Sequence, residues 1–179
     1  MNNWIVLLRG INVGGKNIVP MQQLTAMLVS SGCQNVHTYI QSGNVLLQHL
    51  ESNGRVLSKQ IATEMLQTFG FQPHILLLSL DEFEQAATNN PFPNAQSEPK
   101  SLHLFFLAEP SPHANLAALT ALKKESESFL LVDQVFYLHA PEGIGRSKLA
   151  EKVEKLLAVP TTARNWNTVS KLLKLARPD

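Results

Sequence analysis

Several glycine-containing stretches carry basic or amide side chains of the kind that bind an anion. The first stretch directly follows Arg9 and reads Gly-Ile-Asn-Val-Gly-Gly-Lys-Asn, ending at Asn17. It matches the phosphate-binding pattern G-x-x-x-x-G-K-[ST], except that Asn17 replaces the hydroxyl residue that holds magnesium. A nucleoside triphosphatase is therefore not expected. Backbone N–H groups at Gly14 and Gly15, beside Arg9 and Lys16, still fit an anion, although a tight turn between a strand and a helix explains the glycines equally well.

The second stretch, Gln41-Ser42-Gly43-Asn44, is a polar turn. Ser-Gly-Asn is good hairpin chemistry by itself, so a structural role is the simpler interpretation. Strands that adjoin the first strand bring their ends together. Gln41 and Asn44 are therefore predicted to face the first loop.

The third stretch, Gly143-Ile144-Gly145-Arg146-Ser147-Lys148, leads into a predicted helix. First-turn N–H groups of a helix lack partners, and cations there oppose the helix dipole, so Arg146 and Lys148 favour a bound anion. A capping Ser147 with both cations in solvent explains the sequence equally well. Arg164 stands beside the start of the final helix in the same way, and Asn167 follows it.

These observations predict a protein that binds an anionic, phosphate-bearing ligand, either a nucleotide or a nucleic acid. The residues assigned to this cleft are Arg9, Asn12, Gly14, Gly15, Lys16, Gln41, Asn44, Arg146, Lys148, Arg164 and Asn167. One alternative is a metal-independent enzyme that uses the same cleft, with the amide side chains orienting a small molecule. No general base is evident for it, and its catalytic residues are unknown. The other alternative is a protein-interaction domain that uses the proline-rich segment 90–99.

Composition narrows the class of protein. The chain has 179 residues, 44% of them hydrophobic, and a net charge of +1. No apolar run approaches the length of about 18 residues that crosses a bilayer, and the first residues lack the pattern of a signal peptide. We expect a cytoplasmic protein with no membrane partner. The single cysteine, Cys33, and six histidines without H-x-x-x-H spacing predict no metal site, and no cofactor is indicated.

Charge is unevenly distributed along the chain. Basic residues outnumber acidic ones from Met1 to Thr63 and again from Gly143 to Asp179, whereas acidic residues dominate between them. The two basic ends would form one patch attractive to phosphate if they met in space. The simpler interpretation is that many of these charges solvate helix faces.

The predicted elements place these loops in two similar halves. Hydrophobic periodicity gives the first half the strands 4–8, 36–40, 45–48 and 74–78 and the helices 20–32 and 55–69. It gives the second half the strands 102–107, 129–132 and 135–138 and the helices 114–123, 147–157 and 165–176, with residues 161–168 beginning the last helix. Ser79 and Glu82 form a capping box for a short helix between the halves.

The order β-α-β-β-α in both halves predicts an α+β fold built from two split βαβ, ferredoxin-like units, and favours a structural duplication. The predicted domains are an N-terminal half, 1–88, a proline-rich connection, 89–100, and a C-terminal half with the terminal helix, 101–179.

Four long motifs, taken together, resemble the bacterial domain of unknown function 1697 family. They are residues 7–17, 38–44, 143–149 and 162–168, in that order along nearly the whole chain. The resemblance implies an α+β protein of about this size. It supplies no reaction, cofactor or catalytic residue. It does imply that the glycine-containing loops described above are hallmarks of the family.

Overall fold

The computed structural model describes residues 1–177 and contains two β-α-β-β-α-β arrangements. The first consists of β1 (Asn2–Arg9), α1 (Met21–Ser30), β2 (Gln34–Tyr39), β3 (Asn44–His49), α2 (Gly54–Phe69) and β4 (His74–Ser79). Helix α3 (Leu80–Thr88) and a 3₁₀ helix (Pro93–Ser97) follow it. The second consists of β5 (Leu102–Leu107), α4 (Leu116–Leu122), β6 (Ser128–Val132), β7 (Val135–His139), α5 (Lys148–Leu157) and β8 (Thr161–Asn165), after which α6 (Trp166–Ala176) ends the fold. The predicted α+β class and β-α-β-β-α order are confirmed, and a fourth strand completes each half.

The first sheet is antiparallel in the order β2-β3-β1-β4, which is the order of a split βαβ unit. Side chains alternate along a strand, so Trp4, Val6 and Leu8 of β1 share one face. That face packs against buried residues of α1 and α2, among them Leu24 and Ile61. This core fixes the end of β1, from which the first glycine loop departs.

The second sheet repeats this arrangement in the order β6-β7-β5-β8. Phe105 of β5 and Phe136 of β7 pack edge to face, with ring centroids 5.8 Å apart. They share a core with Leu149 and Val153 of α5. Because the apolar stripe of α5 is anchored in this way, the glycine loop before α5 is fixed at its helix end.

The chain divides into two compact units that each contain one sheet. Among the described residues, the first unit comprises 1–85 and 172–177, and the second comprises 86–171. The division falls within α3 and α6. The predicted boundaries at residues 88 and 100 stay a prediction. Among residues 1–177, no helix combines the length and apolar character needed to span a bilayer.

One sequence prediction needs correction. Residues 161–168 do not all begin the final helix, because Thr161–Asn165 form β8 and pair with β5 from Leu107 to His103. Hydrogen bonding to a central strand here overrides a polar sequence without strand-like alternation. Within the segment 89–100, whose role as a connection stays a prediction, Pro93–Ser97 form a 3₁₀ helix with Ala95 buried.

Candidate functional site

Asn12 joins the first glycine loop to the turn between β2 and β3. Its Oδ1 accepts a hydrogen bond from the N–H of Val19 at 2.7 Å, and its Nδ2 donates to the carbonyl oxygens of Gln41 at 2.8 Å and Val19 at 3.1 Å. The N–H of Asn12 donates to the Asn17 carbonyl at 3.0 Å. The structure thus brings the first two predicted stretches together. The amide of Asn12 holds the loops in place, and the Gln41 side chain is exposed.

The turn that contains Asn44 is built for close packing on β1. The Leu8 N–H donates to the Gly43 carbonyl at 2.7 Å, and a Cβ on Gly43 would lie 2.6 Å from the Leu8 Cβ. Asn44 is fully buried, and its Nδ2 donates to the Tyr39 carbonyl at 3.2 Å and to Ser42 Oγ at 3.0 Å. These contacts support the structural interpretation of the turn.

The tip of the first loop is open to solvent. Gly14 and Gly15 are exposed at φ +58° and +73°, and no atom lies within 4 Å of a Cβ built on either. The Lys16 N–H donates to the Val13 carbonyl at 3.0 Å and closes the tip. The side chains of Arg9 and Lys16 are exposed. The loop therefore presents accessible backbone and positive charge from one unit.

In the second unit, the glycine loop ends at a well-formed helix cap. Ser147 is buried, and its Oγ accepts a hydrogen bond from the Ala150 N–H at 3.0 Å, as the sequence predicts. Its carbonyl accepts from the Glu151 N–H at 3.2 Å. As at any helix start, the first-turn N–H groups have no acceptor within the helix; Lys148 is exposed there, whereas Leu149 is fully buried.

A cavity of about 420 Å³ opens at this helix start. Exposed Arg146 and Lys148 line it on either side of the capping Ser147. Its remaining wall is formed by Phe105, Ile144, Gly145, Ala150 and Glu151. Glu151 is the acidic member, and its Oε1 lies 3.0 Å from Lys152 Nζ. The cavity thus joins two cations to the positive end of α5.

Asn167 lines a second cavity, of about 470 Å³, which shares the Pro141–Gly143 part of the same loop. The Trp166 N–H donates to the Pro99 carbonyl at 3.2 Å and holds the start of α6 beside it. Lys100 also lines this cavity. Sequence reasoning missed Lys100, because a lone lysine between a proline and a strand carries no motif.

Glu142 lines the second cavity as its acidic member. Its carboxylate accepts a hydrogen bond from Ser126 Oγ at 2.8 Å and from Lys124 Nζ at 3.1 Å. These bonds hold the pKa of the Glu142 carboxyl below its usual range. The carboxylate is therefore charged and engaged with its own partners.

Arg164 differs from the other predicted cations. It lies half-buried in β8 opposite Leu104, and its Nη1 donates to the Ala163 carbonyl at 2.8 Å. Burial lowers the pKa of the guanidinium to about 10. It lines neither cavity. The structure gathers Arg146 and Lys148 in one unit and Arg9, Asn12 and Lys16 in the other, and convergence of the two sets stays a prediction.

The described part of the chain contains no metal-binding cluster, and its one cysteine is buried. Residues 1–177 contain no cluster of three His, Cys, Asp or Glu residues that could hold a metal ion. Cys33 is buried in the first core, and burial raises the pKa of its thiol to about 11. A thiol of this kind is a poor nucleophile at neutral pH.

Comparisons with known proteins give a family and a fold, but no activity. The family model described as a protein of unknown function, DUF1697, matches residues 1–137. The glycine loop before α5 and residues 162–168 lie beyond that range. The conserved bacterial protein SP0830 from Streptococcus pneumoniae has a similar structure, with a TM-score of 0.69 and 26% identity over 98% of this chain and 99% of that one. Among curated proteins, none matches significantly.

Proposed function

Because the chain belongs to DUF1697, a family of proteins of unknown function, we propose its function from geometry: it binds an anionic, phosphate-bearing ligand at the start of α5. One observation carries the proposal. Arg146 and Lys148 line a cavity of about 420 Å³ into which the first turn of a capped helix opens. Helix N-termini favour anions through unpaired N–H groups and the helix dipole.

The size and charge of the cavity support a small ligand. Ligand sites in proteins range over about 300–1,000 Å³, so this cavity has room for a phosphate group and part of what it is attached to. The guanidinium of Arg146 provides bidentate geometry for phosphate oxygens, and the Lys148 ammonium provides a point charge. A nucleotide therefore fits the proposal better than a long nucleic acid.

The experiment compares two double variants of the second unit that each remove two positive charges. Arg146→Ala with Lys148→Ala removes the cations of the cavity, and Lys155→Ala with Lys171→Ala removes two exposed cations that do not line it. Binding of ATP, AMP and inorganic phosphate is measured by calorimetry at low salt. We expect the first pair to weaken binding by at least about tenfold, or 1.4 kcal/mol, and the second to have little effect.

Equal affinities of the two double variants for every probe would contradict the proposal. The variant Arg9→Ala with Lys16→Ala extends the test to the first unit. A comparable loss of affinity there would support the predicted convergence of the basic loops. Release of phosphate or AMP from ATP, measured on the same samples, distinguishes turnover from binding.

A further inference from the structure

The first unit carries a second exposed surface that the phosphate site does not use. We call it the loop platform and define it as residues 9–19 together with the turn 40–43. Three aliphatic side chains stand out on it: Val13 is 66% exposed, Ile18 57% and Ile40 53%. A single exposed aliphatic residue is ordinary, whereas several on one surface indicate a contact.

The hydrogen bonds of Asn12 bring together the backbone segments that carry these aliphatic residues. Val13 follows Asn12 in sequence, Ile18 follows Asn17, whose carbonyl accepts from the Asn12 N–H, and Ile40 precedes Gln41, whose carbonyl accepts from the Asn12 side chain. The side chain of Asn17 also donates to the Gly10 carbonyl at 3.0 Å. These bonds tie the platform together, while the tip at Gly14 and Gly15 keeps its backbone accessible.

Backbone conformation on the platform is unusual. Ile40 has a φ of +48°, a conformation that a β-branched residue rarely adopts. Strain of this kind persists where the surroundings fix it, and it is common at functional surfaces. Here it accompanies the exposure of a large apolar side chain in a turn.

The charge of this part of the chain has one sign. Arg9 and Lys16 lie on the platform, and residues 1–50 contain no aspartate or glutamate. A segment with exposed aliphatic side chains, exposed cations and no carboxylates of its own complements a partner that is apolar and anionic. An anionic phospholipid bilayer presents both features, the acyl boundary below and the phosphate layer above.

We propose that the loop platform adsorbs to the surface of anionic phospholipid membranes. Val13, Ile18 and Ile40 enter the acyl boundary while Arg9 and Lys16 remain at the level of the phosphates. The internal hydrogen bonds of the loop lower the penalty of taking its backbone out of bulk water. With only two cations and three aliphatic side chains, binding is weak and reversible. Adsorption to a membrane surface needs no spanning segment. The expectation of no membrane partner rests on the length of apolar runs, and that length says nothing about adsorption to a surface.

A nucleic acid fits the platform less well. Proteins that hold single strands stack bases on aromatic side chains. Residues 9–20 contain no aromatic residue, and Tyr39, next to the turn, is half-buried. Aliphatic side chains do not provide such a stacking surface.

The test measures co-sedimentation with vesicles of phosphatidylcholine alone and of an equal mixture with phosphatidylglycerol. Val13→Gln with Ile18→Gln removes platform side chains. Its matched control, Val29→Gln with Val56→Gln, removes two aliphatic side chains of similar exposure, 55% and 48%, from α1 and α2. We expect the wild-type protein and the control to bind the anionic vesicles, and the platform variant to bind on the order of tenfold less. We expect Lys16→Gln to bind the anionic vesicles less strongly than the wild-type protein does, and its binding to depend less on salt.

Three results would overturn the proposal: no binding of the wild-type protein to anionic vesicles at low salt, equal binding of the two double variants, or binding of a single-stranded oligonucleotide without binding of vesicles. Thermal melting of each variant shows that it is folded before vesicles are added. The double variant that decides the phosphate proposal, Arg146→Ala with Lys148→Ala, lies in the other unit, so either proposal can fail while the other stands.

Discussion

Gly43 shows how tightly the turn between β2 and β3 is packed on β1. A methyl group there would lie 2.6 Å from the Leu8 Cβ and 2.8 Å from the Leu8 carbonyl oxygen, at a φ of +83°. Gly70 ends α2 at a φ of +80° with nothing within 4 Å of its Cβ position. Alanine at either position bears the left-handed penalty of about 1 kcal/mol. At Gly43 it also overpacks the contact with Leu8, for a further cost of about 2 kcal/mol.

We therefore predict that Gly43→Ala lowers the free energy of unfolding in urea by about 3 kcal/mol, and Gly70→Ala by about 1 kcal/mol. The difference between the two variants isolates the contact with Leu8. Losses of the same size would show that conformation alone determines the choice of glycine at both positions.

Residue chemistry predicts which loops lie next to each other better than it predicts what each side chain does. The Ser-Gly-Asn turn was predicted to be structural and to lie beside the first loop, and the Asn12–Gln41 hydrogen bond shows the proximity. Asn12 was assigned to a ligand, but its amide bonds to residues seven and 29 positions away. Sequence cannot reveal that use, because both partners are backbone carbonyls, which every residue has.

Helices and strands with an apolar face or a local cap can be predicted from the sequence. Strand β8 cannot, because it is stabilised mainly by its pairing with β5. The capping box before α3 forms as predicted, with the Glu82 Oε2 accepting from the Ser79 N–H at 2.7 Å and Ser79 Oγ accepting from the Glu82 N–H at 3.2 Å. Strand β8 lies at the edge of its sheet and reads Thr-Thr-Ala-Arg-Asn. Its register with β5 depends on contacts across more than fifty residues of sequence, to which local patterns are blind.

The cap of α5 connects the stability of this helix to its proposed ligand. We predict that Ser147→Ala lowers the free energy of unfolding by about 1 kcal/mol, because the Ala150 N–H loses its acceptor. Fraying of the first turn also disperses the N–H groups proposed to bind phosphate, so the affinity for ATP falls. Asn115→Ala removes the corresponding cap of α4, whose Oδ1 accepts from the Ala118 N–H at 3.0 Å, and is the matched control.

Denaturation and calorimetry on these two cap variants separate stability from binding. A comparable loss of stability in both, with weaker ATP binding only in Ser147→Ala, is the expected pattern. Unchanged ATP affinity in Ser147→Ala would remove the start of α5 from the binding site.

Across the whole molecule, the charges along the sequence give the net charge of each segment, but they do not show where each charged side chain points. Arg164 was grouped with Arg146 and Lys148 because each stands near a helix start. Side chains alternate along β8, and Ala163 packs on the second core, so Arg164 points to the opposite face of its sheet. The alternation of side chains along β8 therefore decides on which face of the sheet Arg164 lies, and the net charge of the segment does not reveal it.

The whole molecule is expected to lose stability in alkali through a buried thiol. Burial raises the pKa of Cys33 from 9.0 to about 11, so the folded chain retains a proton that the unfolded chain releases. The contribution of the Cys33 thiol to the free energy of unfolding is fully present below about pH 9 and is lost as the pH rises towards 11. By pH 10 the loss is about 1.4 kcal/mol. Above pH 10 the raised pKa of Tyr137, to about 12, adds to the loss, whereas the lowered pKa of Arg164 opposes it.

We predict that the free energy of unfolding falls by about 1.4 kcal/mol between pH 8 and pH 10 in the wild-type protein, and that Cys33→Ala removes most of this dependence. Trp4 of the first unit reports the transition when Trp166 is replaced by phenylalanine, because the sequence contains only these two tryptophans. The reverse variant lets Trp166 follow the second unit and measures how far the units unfold together. If the free energy of unfolding of Cys33→Ala falls between pH 8 and pH 10 as it does in the wild-type protein, the loss of stability in alkali comes from groups outside the first core.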